Sequence, residues 1–462
     1  MTLIKSVSGI RGTVGGKQGE NLTPIDIVKF TTAFCRLTKT RLNKENITIV
    51  VGRDARISGQ SVSDLIIGTL IANGVKVINI GLATTPTTEI AVTEEQADGG
   101  IIITASHNPK QWNALKLLNE KGEFLSAQDG NELLKIVDED FTSTEFSDID
   151  SYQPIDSKDY LQRHIDLILQ NKFVDVEAIK NAGFKVAIDA VNSVGGIALP
   201  PLLKQLGVKE IIKLNCDATG HFAHTPEPVP QNLTQIAGLM KKKSLDVGFA
   251  VDPDVDRLVI INEDGSMFNE EYTIVAIADY LLSQNPGNTV SNLSSSRALS
   301  DITEKHGGKW FASAVGEVNV VTKMKEVNAV FGGEGNGGVI FPELHYGRDS
   351  LIGIALFLTH LAKSGMTCSE LRATYPNYFI SKNKIELTPD TDVDKILFSV
   401  KEKYEHKKEV HVSTVDGVKL DFSDGWVHLR KSNTEPIIRI YAEGKSPEKA
   451  EEFARMIMAE IV

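Results

Sequence analysis

The chain has 462 residues, room for three or four units that each bury a core. Apolar residues make up 41%, charged residues 24% and aromatic residues 6%, a globular composition that leaves no place for a dominant disordered part. The formal charge of −12 sets the expectation of no nucleic-acid and no membrane partner, because both call for a broad basic face.

The opening MTLIKSVSGIRG lacks the apolar stretch of a signal peptide, and the longest apolar run, near Ile352 to Leu358, is too short to span a bilayer. Cys35, Cys216 and Cys368 lie far apart in no metal-ligand spacing, so neither a disulfide framework nor a zinc site is expected. Together these set the expectation of a cytoplasmic protein.

Short β-branched runs, ITIVV (47–51), VKVINIG (75–81) and GGIIIT (99–104), alternate with helix-length amphipathic stretches such as SDLIIGTLIANG, the pattern of βαβ units with parallel or mixed sheets. A solvated acidic segment at 138–157 leads out of this first unit. A second series follows with KVAIDA, VKEIIKLN and DVGFAVD, and a third with NTVSNLS, AVFGG and GVIFP. After Tyr375 the strands KNKIELT, KEVHVST, WVHLR and IIRIYAE precede a terminal helix, SPEKAEEFARMIMAEI, as in a smaller α+β domain. The fold expected is α/β, with domains at 1–152, 153–254, 255–374 and 375–462.

TASHNP at 104–109 follows an apolar strand, so Ser106 is expected on an exposed loop where a hydroxyl could meet a substrate. The same hexapeptide, taken alone, reads as a turn in which Asn108 caps a helix starting at Pro109. DPDVDR at 252–257 places three carboxylates at alternate positions after a strand. That set suits a hard divalent cation, provided the segment curls to converge the side chains. An EF-hand loop is excluded, because its sixth position holds Arg257 instead of glycine. A phosphotransferase with an aspartate nucleophile and a solvated acidic turn stay open on these residues.

GGEGNGG at 332–338 matches G-x-G-x-x-G formally, but VIFP follows where a dinucleotide site needs a helix. A tight loop presenting Glu334 and Asn336 to sugar hydroxyls is one reading, a ligand-free glycine turn the other. RKSNTEP at 430–436 joins two strands with a crowd of donors that could converge on a phosphate.

SGIRG (8–12), TASHNP, DPDVDR, GGEGNGG and RKSNTEP occur in the order and spacing of the α-D-phosphohexomutase superfamily, which this chain closely resembles over nearly its whole length. The resemblance implies three similar α/β domains with mixed sheets and a smaller C-terminal α+β domain, heart-shaped around a central cleft. It implies a covalent phosphate on Ser106 and one Mg2+ per chain on Asp252, Asp254, Asp256 and Ser106. Arg11 and Arg257 would stabilise the transferring phosphoryl, and Lys116 would be general acid or base. Glu334 and Asn336 would hold sugar hydroxyls, while Arg430, Ser432, Asn433, Thr434 and Arg439 would hold the non-reacting phosphate.

Two departures stand out. Asn113 is followed by Ala114 where glycine is common, which bears on Lys116. The sugar loop has Asn336, Gly337 and Gly338 where many members have Ser-Gly-His, leaving His107 as the nearest substitute. The implied activity interconverts hexose 6-phosphate and hexose 1-phosphate through hexose 1,6-bisphosphate, with phosphoglucosamine mutase favoured and phosphoglucomutase/phosphomannomutase the alternative. Outside that class stand a metal-dependent sugar phosphatase and an inactive sugar-phosphate binding protein. Members of the superfamily occur as monomers and homodimers.

Overall fold

The computed structural model describes residues 2–6, 9–139, 144–388, 391–432 and 437–461. It separates into two compact units, Met1–Thr273 with Gly337–Leu371, and Ile274–Asn336 with Arg372–Val462.

The first unit opens with β1 (Ile4–Ser6), β2 (Gly9–Thr13), α1 (Pro24–Leu42), β3 (Thr48–Arg53), α2 (Gly59–Ala72), β4 (Lys76–Leu82), α3 (Thr85–Glu94), β5 (Gly99–Ile103), β6 (Trp112–Leu118), α4 (Ala127–Asp138) and β7 (Asp156–Ser157). Their seven strands form one mixed sheet in the order β1-β2-β6-β5-β3-β4-β7. β5 is buried along its whole length, as a central strand covered on both faces must be. Helix α1 starts where Thr23 and Asp26 satisfy each other's backbone amides in a capping box, with Pro24 at its first position. Its apolar face packs with α2 over Ile49, Val51, Ile101 and Ile103.

The chain continues through α5 (Leu161–Leu169), α6 (Val176–Ala182), β8 (Lys185–Asp189), α7 (Gly195–Gln205), β9 (Glu210–Leu214), α8 (Thr234–Lys243), β10 (Val247–Val251) and β11 (Leu258–Asn262). The second sheet has the order β11-β10-β8-β9, parallel except for the β10–β11 hairpin. The expected boundary after residue 254 falls inside that hairpin, whose hydrogen bonds carry the second sheet on to Asn262.

Next come α9 (Glu270–Gln284), β12 (Thr289–Asn292), α10 (Ala298–Lys305), β13 (Trp310–Ser313), α11 (Glu317–Glu326), β14 (Phe331–Glu334), β15 (Gly338–Ile340), α12 (Ser350–Ser364) and α13 (Cys368–Ala373). In the second unit β12 runs between β13 and β14, parallel to both. The last domain contains β16 (Phe379–Glu386), α14 (Val393–Tyr404), β17 (His411–Ser413), β18 (Val418–Phe422), β19 (Gly425–Lys431), β20 (Ile437–Gly444) and α15 (Pro447–Ile461). It is an antiparallel sheet, β16-β20-β19-β18-β17. Helix α14 and strand β18 were absent from the sequence expectation. Both nevertheless keep their apolar period, with Val393, Ile396, Leu397 and Val400 at helical spacing and Val418, Leu420 and Phe422 alternating, on the core of this domain.

Among the described residues no helix is long and apolar enough to cross a membrane. The apolar run at 352–358 is instead the middle of α12, buried on nearly every side. There Phe357 stacks edge-on against Phe249 and Phe268, with ring centroids 6.1 and 5.3 Å apart. Phe357→Ala leaves a void that neither ring can fill, and should lower stability by about 3–5 kcal/mol, read as a fall in the denaturant midpoint.

Candidate active site

Ser106 leaves β5 in a left-handed backbone conformation, φ +48°, which a non-glycine residue adopts only when its surroundings over-determine it. Those surroundings centre on Arg56, one of the largest fully buried side chains. Its Nη2 donates to the carbonyls of Ser106 and Asn108, the latter at 2.7 Å. Its Nη1 donates to the carbonyls of Pro109 at 2.8 Å and Trp112 at 3.0 Å. Its Nε pairs with Asp54 at 3.1 Å, and Asp54 also takes the Thr104 hydroxyl at 2.6 Å. Thr104 Oγ1 accepts the Ser106 amide at 2.9 Å. One guanidinium thus gathers the whole loop. The segment after Pro109 is therefore not a helix: the Trp112 amide turns back to Pro109 once, at 3.0 Å, and strand pairing in β6 takes over.

Ser106 is buried where the sequence suggested exposure, because Arg56 draws its loop inward, and its hydroxyl donates to Asp252 Oδ2 at 2.6 Å. Asp252, Asp254 and Asp256 are fully buried, and one ligand atom from each lies within 4.8 Å of the others. The turn curls as required because Val255 is left-handed, φ +65°, while Asp252 Oδ1 accepts the amides of Asp256 at 3.2 Å and Arg257 at 3.1 Å. The N-terminus of α3 approaches from the first sheet, where Thr85 donates its hydroxyl to Asp254 Oδ2 at 2.6 Å and its amide to the Asp254 carbonyl at 2.9 Å.

Lys116, on β6, lies 2.7 Å from Asp254 Oδ2 and 3.3 Å from Asp256 Oδ2. Arg348 donates to Asp256 Oδ2 at 2.7 Å. The second oxygens, Asp254 Oδ1 and Asp256 Oδ1, are buried with no hydrogen-bond partner among the described residues. Two orphaned carboxylate oxygens beside Asp252 and a serine hydroxyl make an all-oxygen donor set, which fits Mg2+.

Opposing charge shapes the titration here. Burial works against the charge on Lys116, but Asp254 and Asp256 outweigh it and hold the ammonium above its ordinary pKa. Burial and the neighbouring Asp256 and Asp254 push Asp252 well up. Arg11 is pulled down by burial and by the positive charges of Arg257 and Arg348. His107, whose Nδ1 is 3.5 Å from Ser106 Oγ, is held well below 6.5 by Arg257 first, then by burial, Arg11 and Arg348. Arg11, His107, Arg257 and Arg348 therefore converge on one place beside Ser106, a cationic setting for an anion.

Arg348 was not foreseen. It sits in the loop before α12, held by a buried ionic cluster: Asp349 caps α12 and meets His164 Nε2 at 2.9 Å and His345 Nε2 at 3.2 Å. His345 Nδ1 reaches Glu89 of α3 at 3.2 Å. A Cβ at Gly347 would fall 1.8 Å from Glu89 Oε2, so any side chain there would displace the Glu89 carboxylate that faces His345. The only sequence signal was Arg-Asp at the threshold of an apolar helix.

The second unit holds the other predicted residues. Glu334, at the end of β14, is buried, and its Oε1 accepts from Asn292 Nδ2 at 2.7 Å and the Gly316 amide at 3.0 Å. Asn336 is half-buried two residues on. Arg430 and Arg439 face each other across β19 and β20, a like-charge pair that is unfavourable without an anion. Burial lowers Arg430, and its Nε is buried with no hydrogen-bond partner among the described residues. Ser432 is buried, its amide bonded to the Ile437 carbonyl at 3.0 Å. Asn433 and Thr434 lie outside the described residues.

Three α/β domains with a buried serine against an aspartate triad, followed by a small antiparallel domain, define a phosphosugar mutase. Models of the phosphoglucomutase/phosphomannomutase family match along the chain: α/β/α domain I at residues 3–143, domain II at 162–265, domain III at 269–378 and the C-terminal domain at 391–460. The chain belongs to this family of phosphohexomutases, which are isomerases. It is 39% identical over 451 residues to the phosphoglucomutase/phosphomannomutase of Thermococcus kodakarensis, covering 96% of both chains. It is 33% identical to the phosphoglucosamine/phosphogalactosamine mutase of Sulfurisphaera tokodaii, covering 95% of this chain and 94% of that one. The crystal structure of a phosphoglucomutase/phosphomannomutase family protein from Burkholderia thailandensis superposes with a TM-score of 0.85 at 26% identity, covering 99% and 97% of the two chains.

Two outcomes follow from this geometry. Arg56→Met should release the serine loop and cut mutase turnover roughly 100-fold, with substrate KM little changed. Burial opposes the charge on His345, but Asp349 and Glu89 raise its pKa to about 10. A raised value stabilises the fold fully below the ordinary 6.5 and is lost as pH climbs through about 10. Denaturation midpoints should accordingly fall over that window, and His345→Gln should flatten the fall.

Proposed function

We propose that this enzyme interconverts the 1- and 6-phosphates of a hexose by way of a phosphorylated Ser106 and a hexose 1,6-bisphosphate. The observation that carries the reading is the Ser106 hydroxyl, buried and strained, 2.6 Å from the first of three converging aspartates and beside four basic side chains.

In the forward half the Oγ–P bond of phosphorylated Ser106 breaks as phosphorus bonds to a sugar hydroxyl oxygen, whose proton is released to solvent. In the return half the phosphoryl at the other end of the bisphosphate moves to Ser106 Oγ, and the sugar oxygen it leaves takes a proton. Phosphoryl transfer asks mainly for alignment and charge neutralisation. Arg11, Arg257 and Arg348 supply the fixed positive charge. Lys116, an ammonium 2.7 Å from Asp254, would give the proton to the departing sugar oxygen and regain one from solvent. His107 stays neutral and acts as a hydrogen-bonding group. Asp252, Asp254, Asp256 and Ser106 would hold Mg2+, which when bound draws charge from the transferring phosphoryl. Glu334 and Asn336 would hold sugar hydroxyls, and Arg430, Ser432 and Arg439, with Asn433 and Thr434, the phosphate that does not react.

For the sugar, the name of the 39% relative supports glucose and mannose phosphates. A second reading, glucosamine phosphate, draws on the 33% relative. Turnover of glucose 1-phosphate, mannose 1-phosphate and glucosamine 6-phosphate by one preparation separates them; a hundredfold preference for the amino sugar would sink the first choice. Intact mass should show a phosphatase-labile phosphoryl that maps to Ser106, and Ser106→Ala should lose both it and the isomerisation. Full activity of Ser106→Ala would overturn the mechanism, and release of inorganic phosphate without isomer would make the protein a phosphatase.

A further inference from the structure

A circuit of hydrogen bonds joined by short stretches of chain at Ser294, Asp416 and Val315–Gly316 runs through Glu334 in the second unit. Asn292, whose amide group holds Glu334 Oε1, accepts at its own Oδ1 the Ser294 amide at 2.9 Å and the Ser295 hydroxyl at 3.2 Å. Ser294 Oγ lies 2.9 Å from His428 Nδ1. The far nitrogen of that ring, Nε2, lies 2.6 Å from the Asp416 carbonyl. Asp416 Oδ2 accepts the Val315 amide at 3.0 Å. Val315 precedes Gly316, whose amide returns to Glu334 Oε1 at 3.0 Å.

The direction of every bond is set. A carbonyl only accepts, so His428 carries its proton on Nε2, its Nδ1 is the acceptor, and the Ser294 hydroxyl donates. The ring is almost fully buried, and burial, before any charged neighbour, pushes it down to about 4, so it stays neutral and the circuit intact at ordinary pH. A circuit with one allowed arrangement fixes its members more tightly than isolated pairs do.

His428 and Arg430 are alternate residues of β19 and lie on the same face of the strand. Asp416 and Glu334 both act electrostatically on Arg430. The circuit thus connects the carboxylate proposed for sugar hydroxyls to the strand that carries the proposed phosphate-gripping arginine.

We propose that Asn292, Asp416 and His428 are positioning residues that hold Glu334 at a set distance from Arg430, making hydroxyl recognition and phosphate recognition one preformed frame. This rests on the ligand roles proposed above for Glu334 and Arg430. A substrate that spans both groups is sensitive to their separation, because an ångström of misplacement weakens both contacts at once.

The test compares His428→Phe, which removes both ring hydrogen bonds at similar volume, with His428→Gln, which keeps a donor for Asp416. His428→Phe should raise KM for the preferred hexose phosphate about tenfold, the equivalent of one hydrogen bond, with kcat within about threefold. His428→Gln should recover part of that loss. In a Glu334→Ala background the same change should leave KM nearly unaltered, because the carboxylate to be positioned is gone. If the two substitutions multiply fully, or KM does not move, the proposal fails while the mutase reading stands. If the wild-type protein isomerises no hexose phosphate, the mutase reading fails. Amide exchange then decides the frame by itself: Val315 and Gly316 should exchange roughly tenfold faster in His428→Phe, and unchanged rates overturn it.

Discussion

The site depends on one buried cation. Arg56 directs all five of its N–H groups at protein oxygens, four of them the backbone carbonyls of Ser106, Asn108, Pro109 and Trp112 and the fifth Asp54. A loop of six residues has no ladder to fix it, and left-handed Ser106 is unfavourable by about 1–3 kcal/mol. A rigid, planar donor is what such a loop lacks, and burial makes each of its bonds worth more than in water. With the backbone of Ser106 pinned, its hydroxyl lies against Asp252, to which it donates.

Around that serine the arrangement balances charge by alternation. Three buried carboxylates would repel one another in a low-dielectric interior; Lys116 between Asp254 and Asp256, and Arg348 against Asp256, offset that repulsion. The same cations, with Arg11 and Arg257, leave a positive margin beside Ser106 suited to a dianion. The acidic cluster and the basic margin therefore offset one another as two sides of one electrostatic structure.

Much of this was legible in the sequence because the chemistry sits in short contiguous loops. The alternate aspartates of DPDVDR, the strand before TASHNP and the strand after GGEGNGG each carried a local signal, and the structure places them as read. Of the groups that support them, Arg56 carried none and Arg348 only the Arg-Asp pair before an apolar helix. Arg56 lies some fifty residues before the loop it holds, and Arg348 some ninety after the aspartate it meets, so only the tertiary fold brings them together. The capping turn imagined at Asn108 was locally sound. It lost because β6 pairs on both sides, with β2 and β5, and two ladders outweigh a helix start.

Asp349 has a consequence beyond charge. As the cap of α12 it accepts the amides of Leu351 and Ile352, and α12 is the long apolar helix at the centre of its unit. Arg348 is the residue next to that cap. The arginine on the aspartate triad therefore sits at the first turn of a cooperative element, where fraying is normally easiest. Fraying of that end would carry Arg348 away from Asp256, so the cap that starts the helix also keeps the cation in place.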